Sequence, residues 1–597
     1  MFVPYIRRQY LLIRKIHFGA LGIVVGLAFL FSLLNSGASG RLNENLDYGR
    51  FWADLERISS ETHYIRSPGH RRLQDWLERR AREIGEGSPR FELQVDEFDF
   101  NYNVSDAQAK IYNNIFGVSF VPPLKNFIIT VRGTNQSGKA LMIVSHYDGI
   151  GGPGQRFIGY PGAIYPGTTD AGIHVAAILE VMRYAVINPV ENDVIFLITD
   201  GEEDGLLGAR RYMESLANPT EKIGLVANFE SAGTSGTLVM FETGAHAAGT
   251  IRSFTKVAGT AYSNSLATRL YEIMPNSTDM TVFKKHGLAG LNFACAGHGQ
   301  HYHTPDDNME NLNKALAQQT LNTVLSMYVY YGNYDFNKIT GDEALVYFTF
   351  YHWGLIILPV WAVYILAGFM TACFAVVMVL KRKDFSREFF KKNTIRYLKT
   401  ANATFHSMMA AITVTYLISL ILNAATGVWL APKFSTFGIV FSTMLIAMII
   451  FTAAQYIFCR HFKVTKKDAF VFAAVLQFSL TAVLAFVLPE ASYLFLIPAL
   501  INVTALTLEN AVKNKTAVAI IKNLHLPVLS AAFAFTTVVT FSILAVYAFG
   551  TRIAPFTAVL PLFALCAFPT LLIGDRVRDS KTIDAGISMQ EYRQIRR

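Results

Sequence analysis

The sequence predicts an α/β domain, a mostly parallel sheet with helices on both faces, joined to an N-terminal transmembrane anchor and a C-terminal multi-pass helical membrane domain. Three observations predict it. Between residues 127 and 294, short apolar runs alternate with segments of helical spacing, the pattern of parallel strands connected by helices. Hydrophobic residues make up 52% of the 597-residue chain and charged residues 16%, too apolar for a purely soluble protein. The excess is concentrated at 18–36 and beyond 346, in runs long enough to cross a bilayer.

Taken in order, residues 1–17 are a basic, cytoplasmic flank, and FGALGIVVGLAFLFSLL opens the anchor at 18–36. No small-residue cleavage signal follows it, so it reads as uncleaved. Residues 40–345 carry the charges, glycines and turns of a soluble domain. From 346 to 575 seven spans are expected, at 353–380, 404–424, 435–459, 469–488, 492–512, 526–549 and 553–574. The pair around LPEAS (488–492) is so tightly spaced that a re-entrant hairpin is the alternative. Lys and Arg crowd the segments 381–399, 459–468 and 513–525 and the tail 576–597, whereas APKFSTFG, PEAS and FGTRIAP hold few. Basic loops stay cytoplasmic, which puts both termini inside and the domain at 40–345 on the opposite, non-cytoplasmic side. The net charge of +9 is therefore matched to anionic lipid rather than nucleic acid. Only Cys295 of the four cysteines lies in the soluble domain, so no disulfide forms within it. Nothing in the sequence sets an oligomeric state.

Within that domain, 71–84 reads as an amphipathic helix, 127–133 and 140–146 as strands joined by TNQSGK, and 171–186 as a helix. Residues 193–199 read as a buried strand, 206–216 as a helix, and 224–230 and 288–294 as strands. Ligands of such sheets bind beyond the carboxyl ends of the strands, and the polar residues sit there. One strand ends in His146 with Asp148 close by. The next runs into TDGEEDGLLGA (199–209), four carboxylates within five residues. Another ends in Glu230, the loop before helix 171–186 carries Asp170, and the last strand leads into GHGQHYHTPDDN.

A solvated loop is the simplest account of the acids alone, because buried charge is costly without a partner. The convergence of His, Asp and Glu from five segments on one edge argues for metal instead. Zinc takes imidazole nitrogen and carboxylate oxygen, and two close metals can share one carboxylate. Two adjacent glutamates can then divide the work, since neighbours in extended chain point different ways. One binds metal and the other handles a proton.

At these residues the sequence resembles the aminopeptidase Y-type di-zinc exopeptidases, through SHYDG, GTTDAG, TDGEEDGLLGA, NFESAG and HYHTPDDN in the family's order, between about 140 and 307. The anchor, exoplasmic domain and multi-pass tail resemble the membrane branch called vacuolar membrane protease and endoplasmic reticulum metallopeptidase. The resemblance implies a zinc-dependent metallo-exopeptidase with two Zn(2+) per chain and peptide substrates. It implies that Asp170 bridges both ions, that His146 and Glu230 complete one site, and that Glu203 and His303 complete the other. Glu202 is then the general base, Tyr302 helps stabilise the oxyanion, and Asp148 orients His146. The choice of His303 over His301 rests on its fit to YHTP. The chain departs from the family's pattern at Glu230, where soluble relatives often carry Asp, and at Ala171, where Asp or Asn is usual. The resemblance also implies a cis peptide between Asp170 and Ala171.

Two other functions use such a fold: a non-catalytic scaffold or receptor, and a single-zinc enzyme cyclising N-terminal glutamine. The complete set of five ligand positions with Glu202 favours the peptidase. For topology, a cysteine introduced into TNQSGK is expected to react with a membrane-impermeant maleimide in intact, oriented membranes, and one within 381–392 is not. The reverse labelling pattern would invert the orientation.

Overall fold

The computed structural model describes residues 46–512 apart from 100–122, 136–137, 151–162, 260, 275, 296, 351–353, 383–385 and 426–436. The anchor at 18–36, the spans at 526–549 and 553–574 and the two tails lie outside the described residues. The chain divides into two compact units, with the boundary between Pro359 and Val360.

The first unit is built on an eight-stranded sheet: β1 (Phe91–Phe98), β2 (Leu124–Val131), β3 (Ala140–His146), β4 (Val194–Thr199), β5 (Ile223–Phe229), β6 (Val239–Thr243), β7 (Tyr262–Ser263) and β8 (Gly290–Ala294). Their spatial order is β1-β2-β4-β3-β5-β8-β6-β7. The central strands β4, β3, β5 and β8 run parallel, while β1, β2 and β6 are antiparallel to their inner neighbours. The sheet is thus mixed around a parallel centre. β4 lies between β2 and β3, so TNQSGK links strands that do not pair.

The continuous apolar runs of β3 and β4 are explained by two cores, one on each face. Leu141, Ile143, Phe196 and Ile198 belong to the first, and Met142, Val144 and Leu197 to the second. Alternate residues of a strand point to opposite faces, and a strand covered on both faces needs no polar position. Helices α1 (Tyr48–Ile58), α2 (Pro68–Gly85), α3 (Ile173–Ile187) and α6 (Lys314–Tyr331) supply the first core. Helices α4 (Leu207–Glu214) and α5 (Asp279–Lys285) supply the second. Helix α2 starts three residues before the expected 71: Ser67 accepts the N–H of His70, and Pro68 takes the first turn. From β3 the chain crosses to β4 on one side, and from β4 it returns past β3 to β5 on the other. The carboxyl ends of strands at such a reversal are the usual ligand position of these sheets.

This unit extends past the expected limit of 345. The run LIILP, counted in the expected span 353–380, is strand β10 (Leu355–Pro359), paired with β9 (Leu345–Thr349). Its Leu and Ile suit a strand as well as a bilayer, and apolarity alone does not separate the two.

The second unit is helical. Helices Val360–Lys381, Lys466–Val487 and Tyr493–Ala511 are long and apolar enough to cross a membrane. The short turn Pro489–Ala491 separates the last two, each of crossing length. Residues 404–424 are the second half of a 39-residue helix, Arg387–Ala425, that begins inside the basic segment. No proline or glycine interrupts that helix, so its chemistry changes from polar to apolar without a break. Helix Phe437–His461 takes in the expected span from 437 to 459, and residues 435 and 436 lie outside the described residues.

Phe196 is fully buried in the first core. Phe196→Ala is expected to destabilise this unit by about 3–5 kcal/mol through the cavity it leaves, measured by denaturant unfolding of the detergent-solubilised chain. The exposed Ile187 truncated to Ala should change stability by less than about 0.5 kcal/mol.

Candidate metal centre

His146 ends β3, the acidic turn follows β4, and Glu230 follows β5. After β4 the chain turns sharply, with Gly201 at φ +76° and Gly205 at φ +117°, angles that glycine adopts freely. Gly208 must also lack a side chain, because a Cβ there would come within 2.3 Å of Asn126 Oδ1. Glu202 and Glu203 therefore sit in a turn rather than in the extended chain assumed above. The N–H of Gly205 and of Leu206 both donate to the Glu202 carbonyl at 3.0 Å.

The four acids of this turn have separate fates. Asp200 points back into the fold. It accepts His70 Nε2 at 2.8 Å, Gln74 Nε2 at 3.0 Å, the Lys125 N–H at 3.0 Å and the Tyr147 hydroxyl. Asp204 is pushed up to about 6, chiefly by burial. Glu203 reaches His303, with 3.0 Å between Oε1 and Nε2. Burial, and then the Glu230 carboxylate, hold Glu202 well above the usual carboxylate range.

Asp170 lies at the centre. Its Oδ1 is 3.4 Å from His146 Nε2, and its Oδ2 is 3.2 Å from His303 Nε2. Glu230 Oε2 is 3.2 Å from the same His146 nitrogen. Two groups of potential ligand atoms result, His146–Asp170–Glu230 and Asp170–Glu203–His303, each within 4.8 Å. Asp170 belongs to both. The Asp170–Ala171 peptide is cis, as the resemblance implied.

The deep group fits a cation. His146 Nδ1 donates to the Asp148 carbonyl at 3.0 Å, which leaves Nε2 as the lone-pair nitrogen. That atom is buried and has no hydrogen bond, although two carboxylate oxygens face it. Without a cation, protons must balance the acids. Burial and Asp170 push the Glu203 carboxyl up to about 7. Burial alone would lower His303, but Glu203 and Asp170 raise it to about 10. Burial likewise opposes charge on His146, and the carboxylates, Glu230 foremost, override it and raise it well above its ordinary value. A divalent ion held by such a group would replace those protons, and the nitrogen and oxygen donors are of the kind zinc prefers.

Asp148 faces His146 mainly through its carbonyl, since the carboxylate stands 3.5 Å from Nδ1. That carboxylate instead accepts the N–H groups of Glu202 and Glu203, both at 3.1 Å. Tyr302 is partly exposed, its ring stacked on that of His303 at 3.7 Å. His303 holds a left-handed φ of 59°, uncommon outside glycine and frequent at functional sites. His301 is bound to the Thr234 hydroxyl at 2.7 Å and belongs to neither ligand group.

Sequence reasoning missed the residues behind the centre. Asp307 accepts the N–H and hydroxyl of Thr169 and the N–H of Asp170, at 2.9, 2.6 and 3.1 Å. Burial pushes it up to about 7. HTPDDN signals a polar turn there, but not its target 137 residues away in sequence. Asp279 accepts the Thr199 hydroxyl at 2.5 Å, and burial followed by Glu230 raises it to about 7.

An α/β domain with carboxylates and imidazoles converging at its strand ends has the layout of a metallohydrolase. Residues 126–328 match the family model described as Peptidase family M28, and the domain they form belongs to that family. The chain is 28% identical over 303 residues to a vacuolar membrane protease of Candida dubliniensis, covering 50% of this chain and 30% of the relative. It is 26% identical over 305 residues to a Saccharomyces cerevisiae protein of the same name, covering 50% and 29%. The matched segment thus spans under a third of these curated relatives. Among solved structures, similarity extends to an aminopeptidase from Aneurinibacillus sp. strain AM-1, with TM-score 0.36, 12% identity, and coverage of 50% of this chain and 95% of that one. It extends also to Porphyromonas gingivalis glutaminyl cyclase, with TM-score 0.34, 18% identity, and coverage of 47% and 98%.

Because Asp170 is shared by both groups, Asp170→Ala is expected to lower metal occupancy of both, measured as bound metal per purified chain. Retention of two tightly bound ions would remove Asp170 from the bridging position.

Proposed function

We propose that this chain is a membrane-anchored zinc peptidase that trims peptides as an exopeptidase of the aminopeptidase kind, on the non-cytoplasmic side of its membrane. One observation carries the reading: the two oxygens of Asp170 face one imidazole each, and each imidazole also faces a second carboxylate. Membership of the domain in a peptidase family and relatives named vacuolar membrane protease support it. In this reading residues 1–17 and 576–597 are cytoplasmic, 18–36 anchors the chain, the peptidase domain runs from 40 to 359, and seven spans cross the membrane between 360 and 575.

His146 and Glu230 would hold one zinc ion, Glu203 and His303 the other, with Asp170 between them. Zinc bound there supplies Lewis acidity toward the carbonyl of the scissile peptide bond. Everything else falls to the chain itself. Glu202 takes the proton of the attacking water on its carboxylate and returns it to the leaving amine. Burial favours its protonated form, which suits a group that must hold the proton between the two transfers. The Asp148 carboxylate fixes the peptide on which Glu202 and Glu203 are mounted, so base and ligand keep their spacing. The Tyr302 hydroxyl, kept protonated because burial and nearby carboxylates raise its pKa well above the ordinary value, donates to the oxyanion.

Glu202→Gln is expected to lower turnover of an aminoacyl-peptide panel by about 10²–10⁴-fold with the zinc content unchanged. Loss of metal, or near-normal turnover, would take the proton-transfer role away from Glu202. Bound zinc also separates the alternatives: two ions fit the peptidase, one the cyclase, none the scaffold.

A further inference from the structure

Behind Glu230 the sheet carries a ladder of polar side chains with no part in the steps above. Asn228, Asn292 and Glu242 are cross-strand partners on β5, β8 and β6. All three are buried, and Glu230 follows Asn228 by two residues. The Asn228 amide donates to Glu230 Oε1 at 3.1 Å and to Asn292 Oδ1 at 3.0 Å. The Asn292 amide donates to Glu242 Oε2 at 3.0 Å and to the Thr278 hydroxyl at 2.9 Å. Lys284, partly exposed, stands 3.5 Å from the other oxygen of Glu242.

The orientation of each amide is dictated by chemistry. An ionised carboxylate only accepts hydrogen bonds. Glu242 therefore demands the NH₂ of Asn292, which turns the Asn292 carbonyl toward Asn228. That carbonyl in turn demands the NH₂ of Asn228, whose second proton goes to Glu230. Turning either amide over would set a carbonyl against an acceptor in a buried place, a costly arrangement. Glu230 Oε1 is thereby occupied, and Oε2 is the oxygen left facing His146.

We propose that Asn228, Asn292 and the buried Glu242 form a positioning relay that locks the Glu230 carboxylate in its ligating orientation, so that affinity at the deep metal group is set in part from two strands away. The proposal rests on the two-zinc reading of the site. Asn228, Asn292 and Glu242 are positioning residues, since they act through Glu230 and touch no reacting atom.

The test measures zinc affinity of the detergent-solubilised full chain by competition with a chromophoric chelator. In a Glu203→Gln background, which isolates the deep group, Asn228→Ala is expected to weaken zinc binding by about 10–100-fold, the usual effect of losing an outer partner of a ligand. In a Glu230→Ala background, where the relay has no acceptor to hold, the same change is expected to add nothing. Equal losses in both backgrounds, or none in either, would overturn the relay. Glu242→Gln and Glu242→Leu provide an independent arm should Asn228→Ala fold poorly. Gln can still present an acceptor to Asn292 and should keep near-normal affinity, whereas Leu should lower it. Identical affinities in the two would overturn the proposal. No zinc uptake by the unaltered chain would overturn the two-zinc reading and the relay with it. Uptake by that chain with no effect of Asn228→Ala would overturn the relay alone.

Discussion

The carboxylate of Asp170 has to present one oxygen to each of two imidazoles that arrive from distant parts of the chain. His146 ends a central strand, and His303 follows the last strand of the parallel set, and the parallel pairing of β3 with β5 and of β5 with β8 brings them together. Asp170 itself precedes α3, and Asp307 holds its approach through the N–H groups of Thr169 and Asp170. Loop, strand ends and first helical turn thus converge on one shared side chain. Three carboxylates so close and so buried repel one another strongly, and protons or cations must balance them. The raised proton affinities of Glu202, Glu203 and both histidines express that demand.

The two ligand groups are built differently. In the deep group every member is buried, and each ligand is held from behind: His146 by the Asp148 carbonyl, Glu230 by Asn228, Asp170 by Asp307. In the outer group Glu203 and His303 are partly exposed, and His303 leans on an exposed tyrosine. Ordering ligands before metal arrives reduces the conformational cost of binding, so the deep group is the better prepared of the two.

Hydrophobicity has two meanings along this chain. In β3 and β4 continuous apolar runs mark strands covered on both faces. In Val360–Lys381, Lys466–Val487 and Tyr493–Ala511 they mark helices with the length and composition of membrane crossings. LIILP at 355–359 shows why the two are confusable: five apolar residues suit either solvent, and pairing with β9 decides the matter. The 39-residue helix from Arg387 shows the converse, since charge asymmetry locates a basic segment without revealing that it is helical.

The sequence by itself determined the alternation of strands and helices, the apolar helices beyond 360, and the five strand ends or loops that carry His146, Asp170, Glu203, Glu230 and His303. Those features are local: period, run length and the residue at a strand's end follow from neighbours in the chain. Only the tertiary structure decided the strand order that places β4 between β2 and β3, and the turn that separates Glu202 from Glu203. It alone turned Asp200 inward to His70, gave the Asp148 carboxylate two backbone amides besides its 3.5 Å approach to His146, and built the Asn228–Asn292–Glu242 ladder. Apart from the turn, whose own hydrogen bonds are local, each of these depends on partners 50 or more residues apart. A hydrogen bond across that distance leaves no periodic trace in the sequence, because it is set by register and topology rather than by the residues beside it.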